Sequence, residues 1–268
     1  MHVFGPPETY PAIEGARYTC PPGASLDDYR VISKSLNLSR AVLVQPSFYG
    51  SDNSYLLASL ERSSNTRGVA IGHPAVSTPE LKEWHARGVR GLRMDFFRLR
   101  AMGRGIEEMK SLLRSECAIA AGMGWSVDIY APGIVACELF SAIEALPCPV
   151  SIAHMGYLDA DEVSERQCDE FFEAIRRHSL WVKLTGLYRY GDGAGQERAQ
   201  YLAVKLINEF PGRMIWGSDW PHVMAKPQDT GAMLNSLYEL CNRDGRLFSR
   251  ILAENPARLY DWDAATQR

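Results

Sequence analysis

The sequence lacks most of what would tie it to a membrane, a nucleic acid or an oxidising compartment. No apolar run in its 268 residues is long enough to span a bilayer. The start has no basic stretch leading into an apolar one, so the pattern of a secretory leader is missing. A formal charge of only −3 offers no bulk attraction to nucleic acid or an anionic membrane surface, and any basic site must be local. Six cysteines (Cys20, Cys117, Cys137, Cys148, Cys168, Cys241) are scattered without a C-x-x-C pair. In a chain this long that argues against a disulfide scaffold and for reduced thiols in a cytoplasm. There is no G-x-G-x-x-G after the first strand-like run and no G-x-x-x-x-G-K-[ST] anywhere, which removes the two usual glycine-rich nucleotide cradles.

What is present is alternation. The chain is 46% hydrophobic and 23% charged, enough to bury a large core. Short β-branched runs recur at His2–Phe4, Ala41–Pro46, Gly68–Gly72, Val89–Phe96, Trp125–Ala131, Pro149–His154, Leu180–Thr185 and Met214–Asp219. Several are almost continuously apolar, as strands buried on both faces are. Helical patterns fill the intervals. "STPELKEWHARG" has Thr78 placed to cap it, Pro79 in its first turn and Gly88 to stop it. "GIEEMKSLLRSECAIAAG" sets Ile106, Met109, Leu113 and Ala120 near one face and reads as ending at Gly122. Further helices are predicted over Asp27–Leu36, Ser54–Arg62, Ile134–Ala145, Cys168–Arg177 and Leu234–Cys241, and over "ERAQYLAVKLINEFPG". Eight strands alternating with helices predict a parallel (β/α)8 TIM barrel as one domain, residues 1–268, with a first strand cut short at its start.

In such a barrel the chemistry gathers where strands end. The ends here carry His2, Gln45-Pro46-Ser47, His73, Arg93 with Asp95, Asp128 with Tyr130, His154, Lys183 with Thr185, and Asp219. Asp219, in "WGSDWPH", is a candidate general base or metal ligand. His154 precedes Gly156, which lets the backbone turn. Arg93 lies inside a buried run and calls for an anionic partner, with bidentate carboxylate recognition the commonest use of such a guanidinium. Arg98, Arg100, Arg104 and Arg189 follow strand ends, and Tyr130 and Ser47 add hydroxyls. A small anionic substrate follows as the expectation. His85 and His178 fall near helix C-termini, where they suit the dipole, and His73 has no assigned role.

Together "MHVFGP", "VQPSFYGSDN", "GVRGLRMDFF", "PVSIAHMG", "WVKLTGLYR", "MIWGSDWPH" and "ENPARLYDW" resemble the amidohydrolase superfamily, from His2 to about Trp262. The branch they are most similar to is the 2-pyrone-4,6-dicarboxylate lactonases and related sugar-lactone hydrolases. The resemblance implies a TIM-barrel hydrolase that opens the ester bond of a carboxylated lactone. By motif it implies Asp219, His2 and His154 as catalytic residues. It places Arg93, Tyr130, Ser47 and Arg189 where relatives bind substrate carboxylates and ring. His222 follows the same D-W-P-H motif, and Tyr18 lies in a covering loop.

The chain also departs from the pattern. The aspartate and first histidine of the family's D-x-H-x-H are absent, and the expectation is a longer native chain that carries them. Tyr130 stands where two-metal relatives have a histidine, and no bridging lysine ends the fourth strand. The lactonase branch implies chemistry without a metal, Asp219 acting on water while His2, His154 and an arginine polarise the carbonyl. One Zn2+ on His2, His154 and Asp219 is the alternative, in a metal-dependent amidohydrolase or nonoxidative decarboxylase. A catalytically impaired, anion-binding barrel and a lactone isomerase are further readings. No nucleic-acid or membrane partner is expected. A homo-oligomer is compatible with the composition but not located by it.

Overall fold

The computed structural model describes residues 1–72, 76–143, 145–158, 163–177 and 180–262. His73 and His178 lie outside these described residues. Seven strands alternate with helices in a parallel α/β fold, and their sheet order is their chain order. Contacts divide the chain into two compact units, Met1–Arg93 with Ser218–Met233, and Met94–Gly217 with Leu234–Arg268.

In the first unit β1 (Ala41–Val44), β2 (Thr66–Ile71) and β3 (Val89–Asp95) pair in parallel, with Val42 opposite Arg67 and Val69 opposite Gly91. Leu43, Val69, Val89 and Leu92 are almost fully buried, and burying each such side chain contributes about 1.5–3 kcal/mol. The helices are α1 (Leu26–Ser35), α2 (Ser54–Glu61) and α3 (Thr78–Arg87). A reciprocal box opens α1: Asp28 N–H donates to Ser25 Oγ, and Ser25 N–H donates to the Asp28 carboxylate. The cap of α3 is Ser77, not Thr78. Ser77 is still extended and can turn its hydroxyl onto Glu80 N–H, whereas Thr78 is already helical. Gly88 stops α3 in the left-handed region, φ 107°.

Residues 2–4 do not form one of the seven strands. They are nevertheless held by backbone bonds: Val44 N–H donates to Met1 O (2.9 Å), His2 N–H to Trp220 O (2.7 Å) and Phe4 N–H to Ala24 O (2.8 Å). One bond to each of three segments does not make a ladder, but it fixes where His2 stands.

The second unit contains β4 (Ser126–Tyr130), β5 (Val150–Ile152), β6 (Leu180–Leu184) and β7 (Met214–Trp216), paired in parallel through Asp128–Ser151, Ser151–Trp181 and Lys183–Ile215. Its helices include α4 (Phe96–Ala101), α5 (Ile106–Met123), α6 (Gly133–Ile143), α7 (Glu165–Arg177) and α8 (Ala194–Glu209). Later come α9 (Thr230–Leu240), α10 (Gly245–Ser249) and α11 (Asn255–Leu259). Met109, Leu113, Cys117 and Ala120 form the buried face of α5. That helix runs through Gly122 and stops at Gly124, φ 68°, because a glycine ends a helix only where the backbone turns left-handed. β5 and β7 end earlier than the apolar runs suggest, at Ile152 and Trp216, which leaves His154 and Asp219 in turns beyond them. Period-two alternation puts Trp181 and Lys183 on one face of β6. Lys183 Nζ lies 2.8 Å from Asp128 Oδ2, and Ser151 Oγ donates to Asp128 Oδ1 at 2.9 Å. This buried ion pair ties β4, β5 and β6 together.

Candidate active site

In the first unit, two histidines and a carboxylate meet on backbone held by short-range bonds. His2 Nδ1 lies 2.8 Å from Val44 O. A carbonyl only accepts, so Nδ1 carries the hydrogen and Nε2 of the neutral ring carries the lone pair. Nε2 lies 3.9 Å from Asp219 Oδ1, with side-chain exposures of 13% and 5%. Burial, and then the Arg93 guanidinium and the terminal ammonium, hold the His2 imidazole well below its ordinary 6.5. Asp219 and the Val44 bond oppose them without prevailing. At neutral pH, therefore, an imidazole lone pair faces a carboxylate.

Asp219 owes its position to a tight turn. Its φ is +53° and that of His222 is +64°, conformations that cost an L-residue about 1–2 kcal/mol each. His222 N–H donates to Asp219 O (2.8 Å), and His222 Nε2 donates to Ser218 O (3.1 Å). His222 thus braces the turn through its backbone and ring. The Trp220–Pro221 peptide is cis, and Trp220 packs against Tyr29 at 5.4 Å between ring centroids. The Tyr29 phenol is hydrogen-bonded to Ser218 and pushed up to about 12 by burial, which keeps it neutral.

Arg93, near the end of β3, is buried, and its Nη1 donates to Gln45 O at 2.7 Å. Gln45 in turn donates from Nε2 to Asp52 O at 2.6 Å, which anchors the loop after β1. That loop begins a 3-10 turn at Ser47–Tyr49. Ser47 is hydrogen-bonded to Tyr18, whose phenol is raised mainly by burial, and Tyr18 stacks on Phe48 at 5.7 Å. Six of the nine residues named from sequence (His2, Asp219, His222, Arg93, Ser47 and Tyr18) therefore belong to this unit.

The other three, Tyr130, His154 and Arg189, belong to the second unit. His154 Nδ1 donates to Thr185 O at 3.2 Å, and Tyr190 Oη donates to His154 O at 2.8 Å. His154, Met155, Gly156 and Tyr157 are consecutively left-handed, with φ between 49° and 73°, where the sequence suggested a single glycine turn. Fully buried Met155 pins that run. Tyr130 and Tyr157 flank the His154 ring at 5.8 and 5.0 Å, and Phe97 packs on Tyr130 at 4.6 Å. Gly186, φ +65°, leaves room that a Cβ would take, 2.6 Å from His154 Nδ1. Arg189 follows in the 3-10 turn Leu187–Tyr190, its guanidinium 5.3 Å from the Tyr188 ring.

Sequence reasoning missed the backbone carbonyls of Val44 and Thr185, which select the histidine tautomers, and the bracing role of Tyr190. Gln45 and Thr185 were visible at strand ends; Tyr157 and Tyr190 carried no signal, because only folding brings them to His154.

The fold is a parallel α/β protein with polar groups at its strand ends, and residues 1–262 match the amidohydrolase family. The chain belongs to that family. It is 32% identical to a 4-sulfomuconolactone hydrolase of Hydrogenophaga intermedia, over 97% of this chain and 86% of that one. It is 30% identical to a 2-pyrone-4,6-dicarboxylate hydrolase of Comamonas testosteroni, over 97% and 88%. A crystal structure of a putative 2-pyrone-4,6-dicarboxylic acid hydrolase from Pseudomonas putida superposes with a TM-score of 0.82 at 26% identity, covering 98% and 96% of the two chains.

Imidazole and carboxylate are donors that zinc takes. His2 and Asp219 supply two donors. Among the described residues no three His, Cys, Asp or Glu side chains gather as a metal group, and a catalytic zinc takes three protein ligands. No step below passes through a metal.

Proposed function

We propose that this protein hydrolyses the ring ester of a small carboxylated lactone. Support comes from two kinds of relatives that cover nearly the whole chain and are named for such hydrolysis. The carrying observation within the chain is the neutral His2 lone pair facing the Asp219 carboxylate across 3.9 Å. Two acceptors so placed orient a water between them.

In this reading Asp219 takes a proton as the water oxygen bonds to the lactone carbonyl carbon. The ring C–O bond then breaks, and the proton passes to the leaving oxygen. The tautomer revises the part expected of His2: its Nε2 accepts from the water and does not donate to an oxyanion. The oxyanion is assigned to the strand-end region of His154, whose ring is held by Thr185 O, with its place in the motif as support. Arg93, whose Nη1 donates to Gln45 O, is assigned a substrate carboxylate. Arg189, Tyr130, Ser47 and Tyr18 are assigned to orienting the ring and second anionic group, with strand-end placement and motif as support.

The same proposal includes a complete (β/α)8 barrel in which residues 2–4 act as the eighth strand. Their bonds to β1 and to Trp220 support it. A cytoplasmic setting fits six cysteines that form no disulfide, and no helix among the described residues is long and apolar enough to cross a membrane.

The test is a pH-stat assay over carboxylated and sulfonated lactones and sugar-acid lactones, with and without chelator. Chelator-insensitive release of one proton per ring opened is the expected result. No turnover on any lactone, or activity lost to chelator and restored by zinc, would overturn the reading.

A further inference from the structure

Trp181, at the start of β6, is 3% exposed and is shared by two arginines of the same unit. The Arg213 guanidinium carbon lies 5.3 Å from its ring centroid and that of Arg258 lies 4.9 Å away. The Arg258 guanidinium is tied to the backbone, and so is the loop that carries Arg213. Arg258, on α11, donates from Nη2 to Gly212 O at 2.7 Å. Asn255, one turn earlier on α11, donates from Nδ2 to Pro211 O (2.8 Å) and Met214 O (2.6 Å). The loop carrying Arg213 is thereby stapled to the helix carrying Arg258.

Neither guanidinium has an ion-pair partner among the described residues. Arg176 shows the contrast: it stacks on Phe210 at 5.5 Å, and both Glu173 and Glu209 accompany it. Arg213 is instead held below its usual range, first by burial and then by the charge of Arg258. One arginine would cover an indole face; a second, without a counter-charge, adds repulsion in a chain whose formal charge is −3. A guanidinium fork is built to match the paired oxygens of an oxyanion.

We propose that Arg213 and Arg258, both within 5.3 Å of the Trp181 ring centroid, form a binding site for a small oxyanion such as phosphate or sulfate. This site uses none of the groups assigned to lactone hydrolysis. The bound anion screens the two like charges and locks α11 to the loop before β7.

The probe is inorganic phosphate at low-millimolar concentration, against chloride at matched ionic strength, read as the thermal-unfolding midpoint and by calorimetric titration. At about tenfold excess over its dissociation constant, phosphate should raise the midpoint of the parent by roughly 3 °C more than chloride does. Arg213→Gln and Arg258→Gln should each lose that selective rise and at least tenfold in affinity, while Arg258→Lys should keep part of it. Circular dichroism checks that each variant is folded, and the lysine variant reads the site if a glutamine variant is not. Equal midpoints in phosphate and chloride, or a selective rise that survives both glutamine variants, would overturn the proposal.

Discussion

Replacing Asp219 by Asn changes one atom pair and removes both a charge and a proton acceptor. A water making bonds of about 2.8 Å to Nε2 of His2 and to Oδ1 of Asp219, which are 3.9 Å apart, is held at an angle of roughly 90°. Asn can keep that geometry through its own Oδ1, so substrate and water should still bind. What it cannot do is take the proton. Loss of a positioned general base lowers kcat by about 10²–10⁴-fold, equivalent to roughly 3–5 kcal/mol of barrier, while KM should stay within about threefold. A second consequence is independent of turnover. Asp219 favours the protonated form of His2, and removing it should lower the His2 pKa further. The pH-stat assay gives the first result and a proton-NMR titration of His2 the second. Turnover within about fivefold of the parent would refute Asp219 as the base. An unchanged or raised His2 titration would refute the electrostatic coupling.

Arg93→Gln should raise KM by about 10–100-fold, the scale of a lost charge-assisted bond, and raise the His2 titration because Arg93 depresses it; initial-rate kinetics with an unchanged KM would remove Arg93 from carboxylate binding. Gly186→Ala should cost roughly 1–2 kcal/mol in denaturant unfolding from its positive φ alone, and should lower kcat by displacing His154, whose Nδ1 would sit 2.6 Å from the new Cβ. Lys183→Met should cost about 3–5 kcal/mol by leaving buried Asp128 unpaired. The double variant with Asp128→Leu should recover most of that, and a single-variant loss below about 1 kcal/mol would count against a stabilising pair. For His2, the folded pKa lies below its unfolded value, so between the two the unfolded chain binds more protons. Its contribution to stability is full above about pH 6.5 and is lost as pH falls through the folded pKa. Unfolding free energies should therefore fall from pH 7.5 to 5.5 more steeply in the parent than in His2→Gln, and equal slopes would contradict the assignment.

Much of the architecture was legible locally. Seven of the eight apolar runs became strands, because a strand buried on both faces leaves a continuous β-branched signature. The left-handed stop of α3 at Gly88 follows from a residue's own conformational freedom, and so is readable in one dimension. The polar residues beyond each strand were equally plain, and with the motifs around them they determined the family and the lactone-hydrolase reading. Errors arose where several neighbours compete for one role: Ser77 rather than Thr78 caps α3, and Gly124 rather than Gly122 ends α5. The tertiary structure alone decided where those residues stand and what they touch. His2 and Asp219 stand at opposite ends of the chain, and no pattern along it measures 3.9 Å between them. The tautomer of His2 depends on which carbonyl faces Nδ1, and its depressed pKa on burial and on Arg93. The left-handed run at His154 is held by Tyr190 and by space that Gly186 leaves open. Composition and period encode what each segment can do by itself; distance, burial and protonation state belong to pairs of residues that only the closed fold brings together.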